Sequence, residues 1–279
     1  MNEWSGRTAI ITGAGSGIGR AIALACAARG MRLVLADLHA ESIEETKALA
    51  GQDNALMCIT DVSDPMAVEE LAQRTYSETG DAGLLFNNAG VASAGLIWET
   101  SPQDWAWVIG VNLMGVVHGI RAFVPRMLKQ GKKAHVVNTA SAAGLMSIMG
   151  VSAYCASKHA VVSVSECLYQ ELMAKKTMIG VSVLCPGYVL TGIAESEKHR
   201  PAKFGVKTSG RPPSESQIEQ TLRRAKLTPD DIAAITLRAV DENVFYVLPH
   251  PKILEGVQAR FTQIQSNGSP YCGALPTGD

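Results

Sequence analysis

Three residues in the middle of the chain have the types and spacing of a proton-transfer site. Tyr154 and Lys158 are four residues apart, about one helical turn, so in a helix both side chains would lie on one face. Ser141 precedes Tyr154 by thirteen residues. An ammonium near a phenol favours the phenolate, because an opposite charge stabilises the ionised form. A phenol with an ordinary pKa of about 10 would then be a base near neutral pH, although a surface Tyr–Lys pair has the same spacing.

A glycine-rich segment near the N-terminus has the spacing of a phosphate-binding turn. Residues 12–19 read Thr-Gly-Ala-Gly-Ser-Gly-Ile-Gly and lie between a predicted strand (8–12) and a predicted helix (18–29). Glycine permits a tight turn and a close approach to a pyrophosphate, whose charge is bound by free N–H groups of the helix N-terminus. This strand–turn–helix context favours a dinucleotide site over a simple turn. The predicted contacts are Gly13, Ser16, Gly17, Ile18 and Gly19.

An acidic residue after the second predicted strand (31–36) indicates which dinucleotide would bind. Asp37 follows the glycine run by about twenty residues. A carboxylate at this place accepts hydrogen bonds from the adenosine ribose hydroxyls and repels a 2′-phosphate. Neither Leu38 nor the glycine run supplies a cation that would bind such a phosphate. We therefore predict NAD rather than NADP, with a helix N-cap as the alternative role of Asp37.

Alternating apolar runs and longer helical stretches give the elements that must hold these residues. Strands are predicted at residues 8–12, 31–36, 55–60, 83–86, 134–138, 179–184 and 244–248. Helices are predicted at 18–29 and 42–50, from Asp64-Pro65 onward, and at 105–129 and 154–175. No hairpin signal joins the strands. The pattern predicts an α/β fold, a single Rossmann-type doubly wound domain (1–279) with a seven-stranded parallel sheet and helices on both faces.

Polar and glycine residues follow the third and fourth predicted strands. Open parallel sheets bind ligands along the edge where the strands have their carboxyl ends. Each of these residues alone is typical of a turn, whereas their repeated placement at one edge favours a cofactor site. The predicted contacts here are Asp61, Val62, Asn88, Ala89 and Gly90.

The composition limits the class of partner. The chain has 25 Lys plus Arg against 26 Asp plus Glu, which argues against a nucleic acid or an anionic membrane. Its 6 cysteines form no CxxC pair and no Cys/His cluster, so we expect buried free thiols and no metal site. No targeting segment precedes the first strand, and no apolar run approaches the length of a membrane span. We therefore expect a soluble cytoplasmic protein.

Two segments depart from the regular pattern. Residues 188–228 are polar and rich in Pro, Gly and Ser, and are long enough to form a lid. Their cations are candidates for contact with an anionic substrate, with a solvated loop face as the alternative: Lys198, Arg200, Lys203, Lys207 and Arg211. Residues 267–279 indicate an irregular terminus. The apolar, methionine-rich stretch 144–150 suits either the wall of a pocket for an apolar alcohol or the core.

Together these motifs resemble the short-chain dehydrogenase/reductase family, in its branch with a TGxxxGxG turn and a YxxxK pair. The matching elements occur in family order at residues 12–19, 61, 87–90, 111–112, 141, 154–158 and 186–187. This resemblance implies a catalytic tetrad of Asn112, Ser141, Tyr154 and Lys158. It also implies cofactor contacts from Tyr154 and Lys158 and from Pro186, Gly187, Val189 and Thr191.

The resemblance implies a separate role for each member of the tetrad. Tyr154 would exchange a proton with the substrate oxygen while hydride passes between the carbinol carbon and nicotinamide. Ser141 would donate a hydrogen bond to the substrate oxygen and stabilise its developing charge. Lys158 would lower the Tyr154 pKa and bind the nicotinamide ribose. Asn112 would hold a water molecule in a proton relay behind Lys158, and Thr191 would bind the nicotinamide carboxamide.

A second resemblance concerns the C-terminal third, where residues 193–195, 200–205 and 243–249 are similar to bacterial Cα-dehydrogenases of lignin-derived aryl ethers. It implies NAD-dependent interconversion of a secondary alcohol, bulky and aromatic or benzylic, with its ketone. One alternative is an NADPH-dependent ketone or 3-oxoacyl reductase, against which Asp37 argues. Another is a non-catalytic NAD-binding sensor, against which the complete tetrad argues. Family resemblance also predicts a homodimer or homotetramer that acts on a small molecule.

Overall fold

The chain folds around one seven-stranded sheet in which all neighbouring strands are parallel, in the order β3-β2-β1-β4-β5-β6-β7. The structure is a computed structural model that describes residues 3–51, 55–206 and 225–271. Its strands are β1 (Thr8–Thr12), β2 (Arg32–Asp37), β3 (Leu56–Ile59), β4 (Leu84–Asn87), β5 (Ala134–Thr139), β6 (Ile179–Leu184) and β7 (Tyr246–Val247).

Helices connect the strands and cover both faces of the sheet. Those in the described residues are α1 (Gly17–Ala28), α2 (Ala40–Leu49), α3 (Pro65–Thr79), α4 (Pro102–Ile109), α5 (Gly115–Gln130), α6 (Ser152–Ala174), α7 (Pro229–Asp241) and α8 (Ile253–Gln265). A π-helical turn, Gly110–Met114, joins α4 to α5.

The central strands are buried on both faces because helices pack against each side. Side chains of a strand alternate between faces, so Ile11 packs with α1 and α7 in one core cluster while Ile10 packs with α3 and α5 in another. Every residue of β1, β4 and β5 is buried. This explains why the strands read as continuous apolar runs, as is typical of a parallel sheet.

The predicted fold class is confirmed, whereas several element boundaries were wrong. The sequence pattern missed α7 and α8, although Thr228 and Asp231 form a capping box at the start of α7. The last strand is shorter than predicted, because β7 pairs with β6 over Tyr246–Val247 alone. The stretch predicted as one helix at 105–129 contains α4, the π-helical turn and α5. The start of α3 was correct, since the Asp64 side chain accepts from the Met66 N–H.

Two expectations drawn from composition need correction. Four of the cysteines are buried free thiols, but Cys167 is exposed on α6, and Cys272 lies outside the described residues. The helical stretch Pro102–Gln130 is long and apolar enough to cross a membrane, judged by length and composition alone. Inside the fold 56% of its most apolar window is buried, which is the arrangement of a core helix.

Candidate active site

The predicted site residues meet at the carboxyl edge of the sheet, next to the point where strand order reverses between β1 and β4. A cavity of about 480 Å³ lies there. Its lining includes every predicted site residue except Gly19 and Asn112, namely Gly13, Ser16, Gly17, Ile18, Asp37, Asp61, Val62, Asn88, Ala89, Gly90, Ser141, Tyr154, Lys158, Pro186, Gly187, Val189 and Thr191.

The glycine-rich turn has the geometry of an anion cradle. Gly13 and Gly17 have φ values of +66° and +50°, in the left-handed region that favours glycine. A Cβ atom at Gly19 would overlap the carbonyl oxygen of Gly13, so the turn can close only with glycine at this position. Gly19 therefore shapes the turn, although it does not line the cavity. Ser16 is the N-cap of α1 and makes no side-chain capping bond, so the first N–H groups of α1 remain open to a ligand.

The fourth strand supports this turn through hydrogen bonds to the end of β1. The backbone N–H groups of Asn88 and Ala89 donate to Thr12 Oγ1 at 2.9 and 3.1 Å. The Asn88 side chain donates to the Thr12 carbonyl at 3.1 Å. A Cβ atom at Gly13 would lie 2.9 Å from Ala89 Cα, so the two segments pack as closely as a glycine allows.

Asp37 lies beside the glycine-rich turn and lines the cavity. Its Oδ2 accepts from the Gly15 N–H at 2.9 Å, and its Oδ1 accepts from the His39 N–H at 3.2 Å. The N-cap of α2 is His39, so the alternative role of Asp37 as a helix N-cap was wrong. A carboxylate keeps further lone pairs after these two bonds, which leaves Asp37 able to accept from a hydroxyl group. The cradle and this carboxylate together fit an adenine dinucleotide that lacks a 2′-phosphate.

Lys158 is buried behind Tyr154 near the N-terminal end of α6. Its Nζ donates to the Thr139 carbonyl at 2.8 Å and lies 5.7 Å from the centroid of the Tyr154 ring. The four-residue spacing therefore brings the two side chains to one face of the helix, as predicted. Burial lowers the pKa of Lys158 to about 8.

Tyr154 is half-buried, and its electrostatic environment differs from the one predicted. Burial raises the pKa of Tyr154 to about 12, and a hydrogen bond with Ser141 acts in the opposite direction. The predicted lowering of this pKa by Lys158 is not found, because the low-polarity surroundings disfavour a phenolate and the Lys158 ammonium is directed to the Thr139 carbonyl.

Ser141 lies at the end of β5, where it begins a short 3₁₀ turn (Ala142–Gly144). Its Oγ accepts from the Ala143 N–H at 3.1 Å and donates to the Pro186 carbonyl at 3.4 Å. Ser141 lines the cavity together with Tyr154.

Asn112 lies in the π-helical turn, fully buried and behind the cavity wall. Its Oδ1 accepts from the Val91 N–H at 2.8 Å, and its Nδ2 donates to the Val91 carbonyl at 2.9 Å. Nδ2 also contacts Ser157 Oγ at 3.1 Å, a buried partner that the sequence did not reveal. Gly90 separates the asparagine from the lysine: a Cβ there would lie 3.4 Å from Asn112 Oδ1 and 3.5 Å from Lys158 Nζ.

The described part of the insertion, residues 188–206, lies across the cleft. Thr191 begins its 3₁₀ turn (Gly192–His199). Ser196 Oγ accepts from the Ala92 N–H at 3.1 Å, and the Ser93 hydroxyl donates to Glu197 at 2.8 Å. Ala92 and Ser93 both belong to the loop after β4. The insertion is therefore attached at the half of the cleft that holds Tyr154.

Two cations of the insertion attach it to the loop after β3 and to α4. Lys203 Nζ donates to Asp61 Oδ2 at 2.7 Å. Burial alone would raise the pKa of Asp61, but hydrogen bonds from Lys203 and Ser63 hold that pKa below its usual value. Arg200 forms a buried ion pair with Asp104.

The ion pairs also bear on whether the cations of the insertion contact an anionic substrate. Within residues 188–206 each lysine or arginine pairs with a carboxylate: Lys198 with Glu195, Arg200 with Asp104 and Glu197, and Lys203 with Asp61. Lys207 and Arg211 lie outside the described residues. In the described part, the pairing therefore favours attachment of the insertion over recognition of an anion.

The end of the cavity beyond Tyr154 is apolar. Ala94, Ile148, Val151 and Tyr188 line it. Of the methionine-rich stretch 144–150, Ile148 reaches the cavity, whereas Met146 is buried in a core cluster behind it. Such a wall suits a substrate with an apolar or aromatic substituent.

Comparison with known proteins gives matches over almost the whole chain. A family model described as short chain dehydrogenase matches residues 7–202. A C alpha-dehydrogenase from Sphingobium is 35% identical, covering 97% of this chain and 89% of that protein. A CLA biosynthesis dehydrogenase/reductase from Lactiplantibacillus plantarum is 33% identical and covers 97% of both. The crystal structure of a short chain dehydrogenase/reductase from Burkholderia phymatum in complex with NAD has a TM-score of 0.93 and 43% identity, covering 98% of this chain and 99% of that one.

Proposed function

Because this chain belongs to the short-chain dehydrogenase family, we propose that it is an NAD-dependent oxidoreductase that interconverts a secondary alcohol and its ketone. The observation that carries the proposal is the convergence of Ser141, Tyr154 and Lys158 on one cavity that also contains the glycine-rich turn. A proton-transfer group and a dinucleotide cradle in the same cleft are the two components that such a reaction requires.

The choice of NAD rests on Asp37. Its carboxylate faces the cavity beside the glycine-rich turn, where it would accept from ribose hydroxyls and repel a 2′-phosphate. The similar protein from Burkholderia phymatum was crystallised with NAD, which supports the same choice. The open N–H groups of α1 would bind the pyrophosphate.

Bound NAD supplies nicotinamide as the acceptor of hydride from the carbinol carbon. Tyr154 takes the proton of the alcohol in oxidation and returns it in reduction. Ser141 donates a hydrogen bond to the substrate oxygen, where negative charge develops. Since burial raises the pKa of Tyr154, this proton transfer depends on positive charge in the cleft, and the adjacent Lys158 ammonium is one source.

For the substrate, we propose a bulky secondary alcohol with an apolar, benzylic group. The support is the apolar wall formed by Ala94, Ile148 and Val151 and the similarity to a C alpha-dehydrogenase. Turnover of a panel of benzylic, steroid and long-chain aliphatic secondary alcohols tests this assignment. Turnover confined to aliphatic alcohols would remove the benzylic proposal and leave the reaction class intact.

Residues 188–228 are proposed to act as a lid of a single catalytic domain. The described part contacts the loops after β3 and β4, so it spans the cleft from the predicted cofactor residue Asp61 to the loop that follows β4. We also propose a homodimer or homotetramer, since Tyr169 and Met173 of α6 are large apolar side chains exposed to solvent. A monomeric mass by light scattering at micromolar concentration would reject the oligomer.

Replacing the general acid/base tests the proposed reaction directly. Tyr154→Phe removes the exchangeable proton and keeps the ring, so turnover should fall by at least about a hundredfold. NADH affinity, measured by fluorescence titration, should change by less than about twofold. Tyr169→Phe is the matched control, since Tyr169 is an exposed tyrosine on the same helix and its ring contacts Phe245 at a tilt.

Each other outcome of this experiment points elsewhere. A Tyr154→Phe enzyme with normal turnover would refute the assigned role of Tyr154. NADH binding without turnover of any alcohol by the unaltered protein would favour the sensor alternative. A preference for NADPH would favour the reductase alternative and show that the role given to Asp37 is wrong.

A further inference from the structure

We propose that His250 is a positioning residue for the catalytic site, because its imidazole holds the loop after β6 against Ser141. The inference rests on the proposed function, since it assigns a role in the same reaction. His250 lies between β7 and α8, is 8% exposed and is not among the residues that line the cavity. Its effect on the reaction is therefore indirect.

The contact between His250 and the loop is a hydrogen bond with a defined direction. The Gly187 N–H donates to His250 Nδ1 at 3.0 Å. Because a backbone N–H only donates, Nδ1 must carry a lone pair, which places the ring proton on Nε2. A Cβ atom at Gly187 would lie 3.1 Å from His250 Cγ, so the imidazole packs directly on the glycine backbone.

The same peptide unit carries a second set of bonds that reach the catalytic serine. The Pro186 carbonyl accepts from the Ala142 N–H at 2.8 Å and from Ser141 Oγ at 3.4 Å. The Pro186 carbonyl and the Gly187 N–H belong to one planar peptide group. His250 therefore holds one side of this plane. Any rotation that breaks its bond also shifts the Pro186 carbonyl, which still accepts from the Ala142 N–H beside Ser141 when the Ser141 hydroxyl donates to the substrate.

The backbone around His250 is suited to holding the ring in one place. Pro249 and Pro251 flank it, so φ is restricted at both neighbours, and the residue before each proline favours an extended backbone. The His250 carbonyl accepts from the Ile253 N–H at 3.0 Å at the start of α8. Upstream, the Cys185 backbone N–H donates to the Val247 carbonyl at 2.9 Å, which joins the two segments just before the proposed contact.

Two substitutions of His250 with side chains of similar branched shape distinguish the effect of its hydrogen bond from the effect of its packing. His250→Leu removes the acceptor, whereas His250→Asn keeps an oxygen able to accept from the Gly187 N–H. We expect His250→Leu to lower kcat about tenfold per NADH-binding site, with the KM for the alcohol within about twofold. His250→Asn should keep kcat within about threefold of the unaltered enzyme. A purely structural role would instead lower the thermal midpoint without this difference in kcat.

Amide hydrogen exchange at Gly187 gives a second readout that needs no turnover. Exchange should be faster in the leucine variant than in the asparagine variant and the unaltered protein. Equal Gly187 exchange in all three proteins would overturn the role of His250, as would a leucine variant with kcat within twofold of normal. An asparagine variant as slow as the leucine variant would show that ring packing, not the acceptor, is what matters. Absence of turnover in the unaltered protein would instead overturn the proposed function.

Discussion

Lys203→Ala should accelerate the release of NADH, because this lysine attaches the proposed lid to a predicted cofactor residue. Asp61 Oδ1 accepts from the N–H and hydroxyl of Ser63 at 2.9 and 2.6 Å, and Oδ2 accepts from Lys203 at 2.7 Å. A carboxylate has about four lone-pair sites, so one remains for a donor of the bound cofactor. Lid attachment and cofactor binding can therefore use the same carboxylate at once.

The exposure of the ion pair sets the size of the effect. The side chains of Lys203 and Asp61 are 50% and 25% exposed. Exposed ion pairs of this kind contribute about 0.2–1 kcal/mol. If the pair is fully broken in the transition state for release, its removal should increase the rate of NADH release by about 1.4- to 5-fold. At 1 M salt the difference in release rate between Lys203→Ala and the unaltered protein should shrink, because the Debye screening length is then about 3 Å.

Stopped-flow fluorescence of NADH displaced by excess NAD measures this rate. Lys198→Ala is the matched control, because Lys198 belongs to the same segment but pairs with Glu195 inside the segment itself. We expect the release rate of the control to equal that of the unaltered protein. Equal release rates for all three proteins, or equal acceleration in both variants, would refute the reasoning.

Two further predictions concern the cofactor and the sheet. Asp37→Asn should raise the NADP/NAD ratio of kcat/KM by at least about tenfold, because like charges about 4 Å apart near a protein surface repel by about 4 kcal/mol. Glu41→Gln is the control, because Glu41 lies on the exposed first turn of α2, and it should leave this ratio unchanged. Burial lowers the pKa of His135 from 6.5 to about 4, so between these values the unfolded chain binds more protons and stability is lost as the pH falls from 6.5 to 4. Urea midpoints for His135→Gln should show a flatter pH dependence than those of the unaltered protein, and parallel curves would contradict the assignment.

The sequence predicted those site features whose cause is local. The glycine-rich turn is recognisable because the chain geometry requires glycine there, as the positive φ of Gly13 shows. Asp37 is recognisable because it follows the second strand, and the carboxyl ends of adjacent parallel strands lie at one edge of the sheet. The pairing of Tyr154 with Lys158 follows from helical spacing.

The features that were missed depend on contacts between distant parts of the chain. His250 is 63 residues from Gly187, and Lys203 is 142 residues from Asp61, so no short pattern connects the partners. The pKa of Tyr154 was misjudged because spacing reveals a neighbouring charge but not the burial that opposes it.

The π-helical turn at Gly110–Met114 restricts how this region can change in evolution. A π turn contains one residue more than a regular helical turn, and such insertions persist where function requires them. Removing one residue here would rotate α5 by about 100° relative to α4, given 3.6 residues per turn. The Asn112 side chain would then leave Val91, and the packing of both helices would change together. We therefore expect related genes to conserve the length of this turn together with Asn112, whose side-chain bonds depend on it.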